Sequence, residues 1–131
     1  MKVELNNSSS GVDVFKIEDN PVTEMNCDWF LSQFKEEEIP KVVEVLLSKI
    51  RIGGTVCFQE LDVYEFSKRS NGLRINPAQV YVTNDCLGGN KIASFLSLEY
   101  LRTLIPENFI TLTSMFIKGK QQFQLKVKRK N

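Results

Sequence analysis

The sequence predicts an α/β domain with a mostly parallel sheet and an antiparallel C-terminal hairpin, and three stretches of the 131-residue chain carry that prediction. Ile39, Val42, Val43, Leu46, Leu47 and Ile50 recur at the spacing of one helix face, which predicts a helix over 37 to 50. TVCFQEL, Thr55 to Leu61, is a β-rich run directly after it, so helix, turn and strand read as a parallel α/β unit. At the end of the chain FITLTSMFI and QFQLKVK flank Gly119, and Phe123, Leu125 and Val127 alternate with polar residues, the pattern of a hairpin with one buried face.

The remaining elements follow in order. VELNNSSSGVDVF, residues 3 to 15, reads as a short strand over Lys2 to Leu5, a polar loop and an alternating strand through Val12, Val14 and Ile17. Pro21 separates this from a strand over Val22 to Cys27. Pro40 fits only the first turn of the 37 to 50 helix, while Lys49 and Arg51 give it a basic end and Gly53-Gly54 a left-handed stop. Asp62 to Lys68 and Pro77 to Val82 read as helical turns and DCLGGNK as a loop. Ser97 is placed to cap a second helix over 97 to 105, LEYLRTLI, which Pro106 ends.

Composition bounds the function. With 42% hydrophobic and 25% charged residues and a formal net charge of +1, the chain has the makeup of one soluble domain without a global pull toward nucleic acid or membrane. The N-terminus has no apolar core of a leader peptide, and no apolar run reaches the ~20 residues of a membrane span, so a cytoplasmic location is expected. Cys27, Cys57 and Cys86 lack CxxC spacing and read as buried thiols rather than a disulfide or metal set; no metal site is expected. The chain contains no histidine, which removes Ser-His-Asp and Cys-His machinery and the commonest general base near neutral pH.

EEEIPKVVEVLLSKIRIGGTVCFQELD, followed by FLSLEYLRTLIPENF and the terminal hairpin, resembles the C-terminal half of small class I S-adenosylmethionine-dependent methyltransferases of the type 11 kind. Leu31-Ser32-Gln33 stands where that family has a Leu-Glu-His segment, Ile52-Gly53-Gly54 where it has Pro-Gly-Gly, and Leu61-Asp62 where it has Pro-Asp. The resemblance covers residues 12 to 131 and implies a reduced Rossmann-like methyltransferase fold, a single domain over residues 1 to 131. It also implies where a cofactor would sit: the loop Asn6, Asn7, Ser8, Ser9 and Ser10 in place of a glycine-rich cradle, Asp19 near the adenine, and Asp28 beyond the strand bordering the crevice. Serine does not allow the close backbone approach of glycine. The six-residue link between the first two predicted strands is half what a parallel crossover needs, so the first βαβ unit reads as missing and no cofactor is expected.

Glu60 and Asp62 are the substrate candidates, because open α/β sheets bind ligands at the carboxyl ends of their strands; Asp62 reads equally as a helix N-cap. Trp29 and Phe30 read as core or interface aromatics. No catalytic residue can be named. Lys118, Lys120, Lys126, Lys128, Arg129 and Lys130 make the C-terminal hairpin basic, either as a phosphate-tracking surface or as an edge strand guarded by lysines. Three functions follow: a non-catalytic methyltransferase-like interaction or scaffold module, an active S-adenosylmethionine-dependent methyltransferase of unknown acceptor completed by a partner chain, and nucleic-acid binding through the basic hairpin. The lost βαβ unit predicts an uncovered apolar patch, and with it a homo-oligomer or a protein partner.

Overall fold

The structure, a computed structural model, describes residues 2–6, 21–34, 36–61, 80–83, 93–117 and 122–131. The strand expected over Val12 to Ile17 and the helical turn expected over Asp62 to Lys68 lie outside these residues, as do Cys86, Lys118 and Lys120. Among the described residues a five-stranded sheet carries β1 (Lys2–Asn6), β2 (Val22–Asp28), β3 (Ile50–Leu61), β7 (Gln122–Arg129) and β6 (Phe109–Ile117), side by side in that order. β1, β2 and β3 are parallel, and β7 and β6 complete the sheet antiparallel. The parallel neighbour of β1 is β2, and residues 7 to 21 between them are long enough for a crossover.

Helix α1 (Ile39–Ser48) is preceded by a 3-10 turn at Glu36–Glu38 because Pro40, at the first helical turn, cannot continue a helix backward. Its apolar stripe buries Ile39, Val43, Leu46 and Leu47. The helix ends on Lys49 in the right-handed region, and the chain enters β3 at once. Gly53-Gly54 is therefore not the helix stop. It lies inside β3, where Val22 pairs with Ile50 but Glu24 with Thr55, so residues 51 to 54 bulge out of the ladder. Gly53 has φ +85°, and a Cβ on Gly54 would lie 2.9 Å from the carbonyl oxygens of both Arg51 and Val22. The two glycines serve a strand bulge pressed against β2.

Helix α2 (Leu98–Thr103) starts as expected, with Ser97 Oγ accepting a 3.0 Å hydrogen bond from Tyr100 N. β4 (Val80–Thr83) and β5 (Ala93–Leu96) pair antiparallel as a separate two-stranded ribbon. A strand thus stands over 80 to 82, where a helical turn was expected. Non-local pairing with β5 supplies the backbone partners that a four-residue run cannot find locally.

Alternation divides the large sheet into two unlike faces. Leu5, Met25, Cys27, Val56, Phe58, Leu125 and Val127 form one buried face, against which α1 and α2 contribute their apolar stripes. The opposite face carries Glu4, Glu24, Asn26, Thr55, Cys57, Gln59, Gln124, Lys126 and Lys128, of which Glu4 and Lys128 are exposed and the rest partly buried. These polar side chains satisfy one another: Asn26 Nδ2 donates to Glu4 at 3.1 Å, Gln59 Nε2 to Gln122 at 3.1 Å, and Gln124 Nε2 to the Cys57 sulfur at 3.3 Å. Parallel sheets normally carry apolar residues on both faces. On β1, β2, β3 and β7 this one does not, and the exposed apolar residues of its polar face are Ile110 and Met115 of β6. Among the described residues the large exposed apolar ones are Ile52 and, on β6, Ile110, Leu112, Met115 and Phe116. Among the described residues the lysines of the hairpin do not guard the edge at β6, since β7 is an inner strand and β6 is uncharged. Among the described residues no helix is long and apolar enough to cross a membrane.

Candidate functional site at the carboxyl edge

The parallel strands end together. Asn6 pairs with Asp28 and Asp28 with Gln59, so three polar residues form a row at the carboxyl edge, with Glu60 one step further along β3. Asn6, Asp28 and Glu60 are thereby brought to one edge by the fold. Asn7, Ser8, Ser9, Ser10, Asp19 and Asp62 lie outside the described residues. Asn6 and Asp28 are exposed, whereas Glu60 is fully buried.

Past Asp28 the backbone turns sharply. Trp29 has φ 59°, in the left-handed region that costs a non-glycine residue roughly 1–3 kcal/mol. Its N–H is tied to Gln59 O at 2.8 Å, and Ser32 Oγ donates to Trp29 O at 3.3 Å. The next two amides, Phe30 N and Leu31 N, donate to Glu60 Oε1 at 3.0 and 2.8 Å. A 3-10 turn over Leu31–Gln33 follows, with Phe30 and Leu31 fully buried and the rings of Phe30 and Phe34 meeting edge to face at 5.2 Å. Phe30 is the core aromatic it was expected to be. β5 runs beside this turn, so the ribbon adjoins the same edge.

Glu60 pairs in register with Phe123 and shares the face of Val56 and Phe58, where alternation calls for an apolar residue. Burial raises its carboxyl to about 8; the Leu31 and Phe30 amides pull the value down without cancelling that effect, and the negative charge of Asp28 adds to the rise. At neutral pH the group is mostly protonated. Because Oε1 accepts both amides, the proton belongs on Oε2, which is buried and has no hydrogen-bond partner. Trp29 Nε1 and Gln33 Nε2 are buried without partners as well, so all three such side-chain atoms among the described residues belong to this loop and its clamp.

Both described cysteines are free thiols; burial pushes Cys27 and Cys57 up, away from the reactive thiolate. Among the described residues no group of three or more Cys, Asp or Glu is placed to hold a metal. A cleft of about 650 Å³, lined by Pro40, Leu47, Leu104, Phe109 and Arg129 among others, lies at the other end of the sheet, where Arg129 Nη1 donates to Ile50 O at 2.6 Å. It is remote from the edge that carries the polar row. Gln59 did not stand out in the sequence, and the left-handed turn at Trp29 was not visible there, because both roles depend on β2 and β3 lying side by side.

Similar architectures are known. A Pyrococcus horikoshii OT3 protein, PH0226, superposes with a TM-score of 0.66 at 12% identity over 87% of this chain and 54% of its own. A Methanosarcina mazei S-adenosylmethionine-dependent methyltransferase gives 0.60 at 14% identity, covering 95% of this chain and 64% of its own. The Burkholderia thailandensis 1,6-didemethyltoxoflavin-N1-methyltransferase, solved with S-adenosylhomocysteine, gives 0.59 at 9% identity over 90% and 48%. The fold is that of the class I methyltransferases in reduced form. The chain spans about half to two-thirds of the length of these three structures. No family profile and no curated protein matches its sequence.

Proposed function

We propose that this methyltransferase-like domain, a single unit over residues 1 to 131, works as a non-catalytic interaction or scaffold module. The observation that carries this reading is the state of Glu60. Among the described residues the one buried carboxyl at the carboxyl edge has an oxygen committed to two loop amides and no surface open to a ligand, which supports a role in holding the loop. No histidine stands in for it.

The described residues do not fit S-adenosylmethionine well. At the carboxyl edge they offer one exposed carboxylate, Asp28, and the amides of Asn6 and Gln59, and among them no glycine at the end of β1 admits close backbone contact with a ligand. Calorimetric titration with S-adenosylhomocysteine tests the reading: no saturable heat tighter than about 50 μM is expected. A dissociation constant below that value would promote the enzyme.

The three partnerless polar atoms, Trp29 Nε1, Gln33 Nε2 and Glu60 Oε2, favour the alternative of an active methyltransferase completed by a partner chain, since a ligand or second chain at this edge would satisfy them. Nucleic-acid binding has less support. Lys126 and Lys128 lie on the open face, while Phe58, Phe109, Phe116 and Phe123 lie in the rows of the other, so among the described residues no sheet aromatic is interleaved with the lysines for bases to stack on.

A further inference from the structure

The two outer strands of the sheet are built on opposite principles. β1 is short and charged, with Lys2 3.7 Å from Glu4 and 4.0 Å from Glu24. β6 has nine residues, FITLTSMFI, with no charge, proline or glycine, although charges and prolines are what natural edges use to repel a further strand. It also exposes 41% of Ile110, 48% of Leu112 and Met115, and 55% of Phe116. The ladder to β7 shifts at Leu112, so Thr113–Ile117 forms the regular segment with its outer edge turned away from β7.

Charge beside this edge identifies what it would take. On the open face the strand next to β6 presents Lys126 beside Thr113 and Lys128 beside Ile110. On the other face Phe116 lies exposed across from the buried Phe123. We propose that β6 is the docking edge for an extended segment of a partner protein, acidic on one face and apolar on the other, which adds to the sheet as a sixth strand. Its backbone pairs with Thr113–Ile117, its apolar side chains cover Phe116, and its carboxylates reach Lys126 and Lys128 across two strand spacings, about 10 Å. A second copy of the chain fits less well, because its own β6 is uncharged and the strand behind that is again basic. This inference rests on the reading of the domain as an interaction module. It concerns β6, whereas cofactor binding is read at the carboxyl edge, so the two can fail separately.

The test uses amide NMR on the full chain with an acetylated nonapeptide of alternating valine and glutamate, its valine-lysine counterpart, and a dT20 oligonucleotide. The valine-glutamate peptide is expected to shift the Thr113–Ile117 amides saturably and to bind at least about fivefold more tightly than the lysine peptide. Phe116→Asp, at an exposed position, should weaken it about tenfold. The double change Lys126→Glu and Lys128→Glu should reverse the peptide preference while leaving the amide spectrum of β1 and β2 in place. Shifts confined to other strands, equal affinity for the two peptides, unchanged affinity in the double variant, displacement of the peptide by the oligonucleotide, or a β6-mediated dimer seen by sedimentation without peptide would each overturn the proposal.

Discussion

Residues one position apart on β3 belong to different chemical worlds. Val56 and Phe58 are fully buried under the helices, while Thr55, Cys57 and Gln59 face the polar side, where Cys57 and Gln59 find partners on β7. A doubly wound sheet would bury both sets. The difference teaches that, among the described residues, the apolar core lies on one face of the sheet, while on β1, β2, β3 and β7 the other face is polar and hydrogen-bonded to itself. Glu60 breaks the alternation: it has the parity of Phe58 but the chemistry of Gln59, and its place on the buried face is explained by the two amides of the loop after β2.

Substitutions sharpen the contrast. Phe58→Ala, which empties the middle of the buried face, is expected to cost about 3–5 kcal/mol in chemical denaturation. Gly54→Ala should cost about 1–3 kcal/mol, because the new Cβ meets two carbonyl oxygens held by the β2–β3 bulge, and neither is a flexible group that can move aside. Gln59→Ala, on the open face, should change stability by no more than about 1 kcal/mol, the net value of one hydrogen bond in partial contact with water. If Gln59→Ala cost as much as Phe58→Ala, the open face would be a second core and the one-layer description would fail.

Much of this was legible from local pattern. The stripe from Ile39 to Leu47 and the alternation from Phe123 to Val127 are periodicities that burial imposes directly, and the Ser97 cap is a three-residue signal. The resemblance pointed to the methyltransferase fold that the solved structures share; that Asn6, Asp28 and Glu60 lie at one edge follows from the strand pairing. What escaped depends on neighbours distant in sequence. A left-handed glycine reads as a helix stop until β2 is seen pressed against Gly54, and Val80–Thr83 becomes a strand only beside β5. Glu60 reads as a substrate candidate from its place on β3, and the Phe30 and Leu31 amides that bind it, 30 and 29 positions away, have no local signal. The lysines of β7 look like edge protection until β6 is placed outside them.

The central claim is that Glu60 is a buried, mostly neutral clamp, and the pH dependence of unfolding tests it most directly. Its carboxyl sits near 8 in the folded chain against about 4.3 when unfolded. Between those values the folded state holds a proton that the unfolded state releases. The stability associated with this group is therefore full below about pH 4, falls with a slope on the order of 1 kcal/mol per unit as pH rises, and is lost by about pH 8. Glu60→Gln keeps an oxygen for the Phe30 and Leu31 amides and removes the titration. Urea denaturation of the two proteins at pH 5, 6.5 and 8 should give a variant whose advantage over the native chain grows with pH and is largest at pH 8. Parallel stability profiles, or a variant that loses most at pH 8, would mean that Glu60 is ionised in the folded protein and would contradict the clamp.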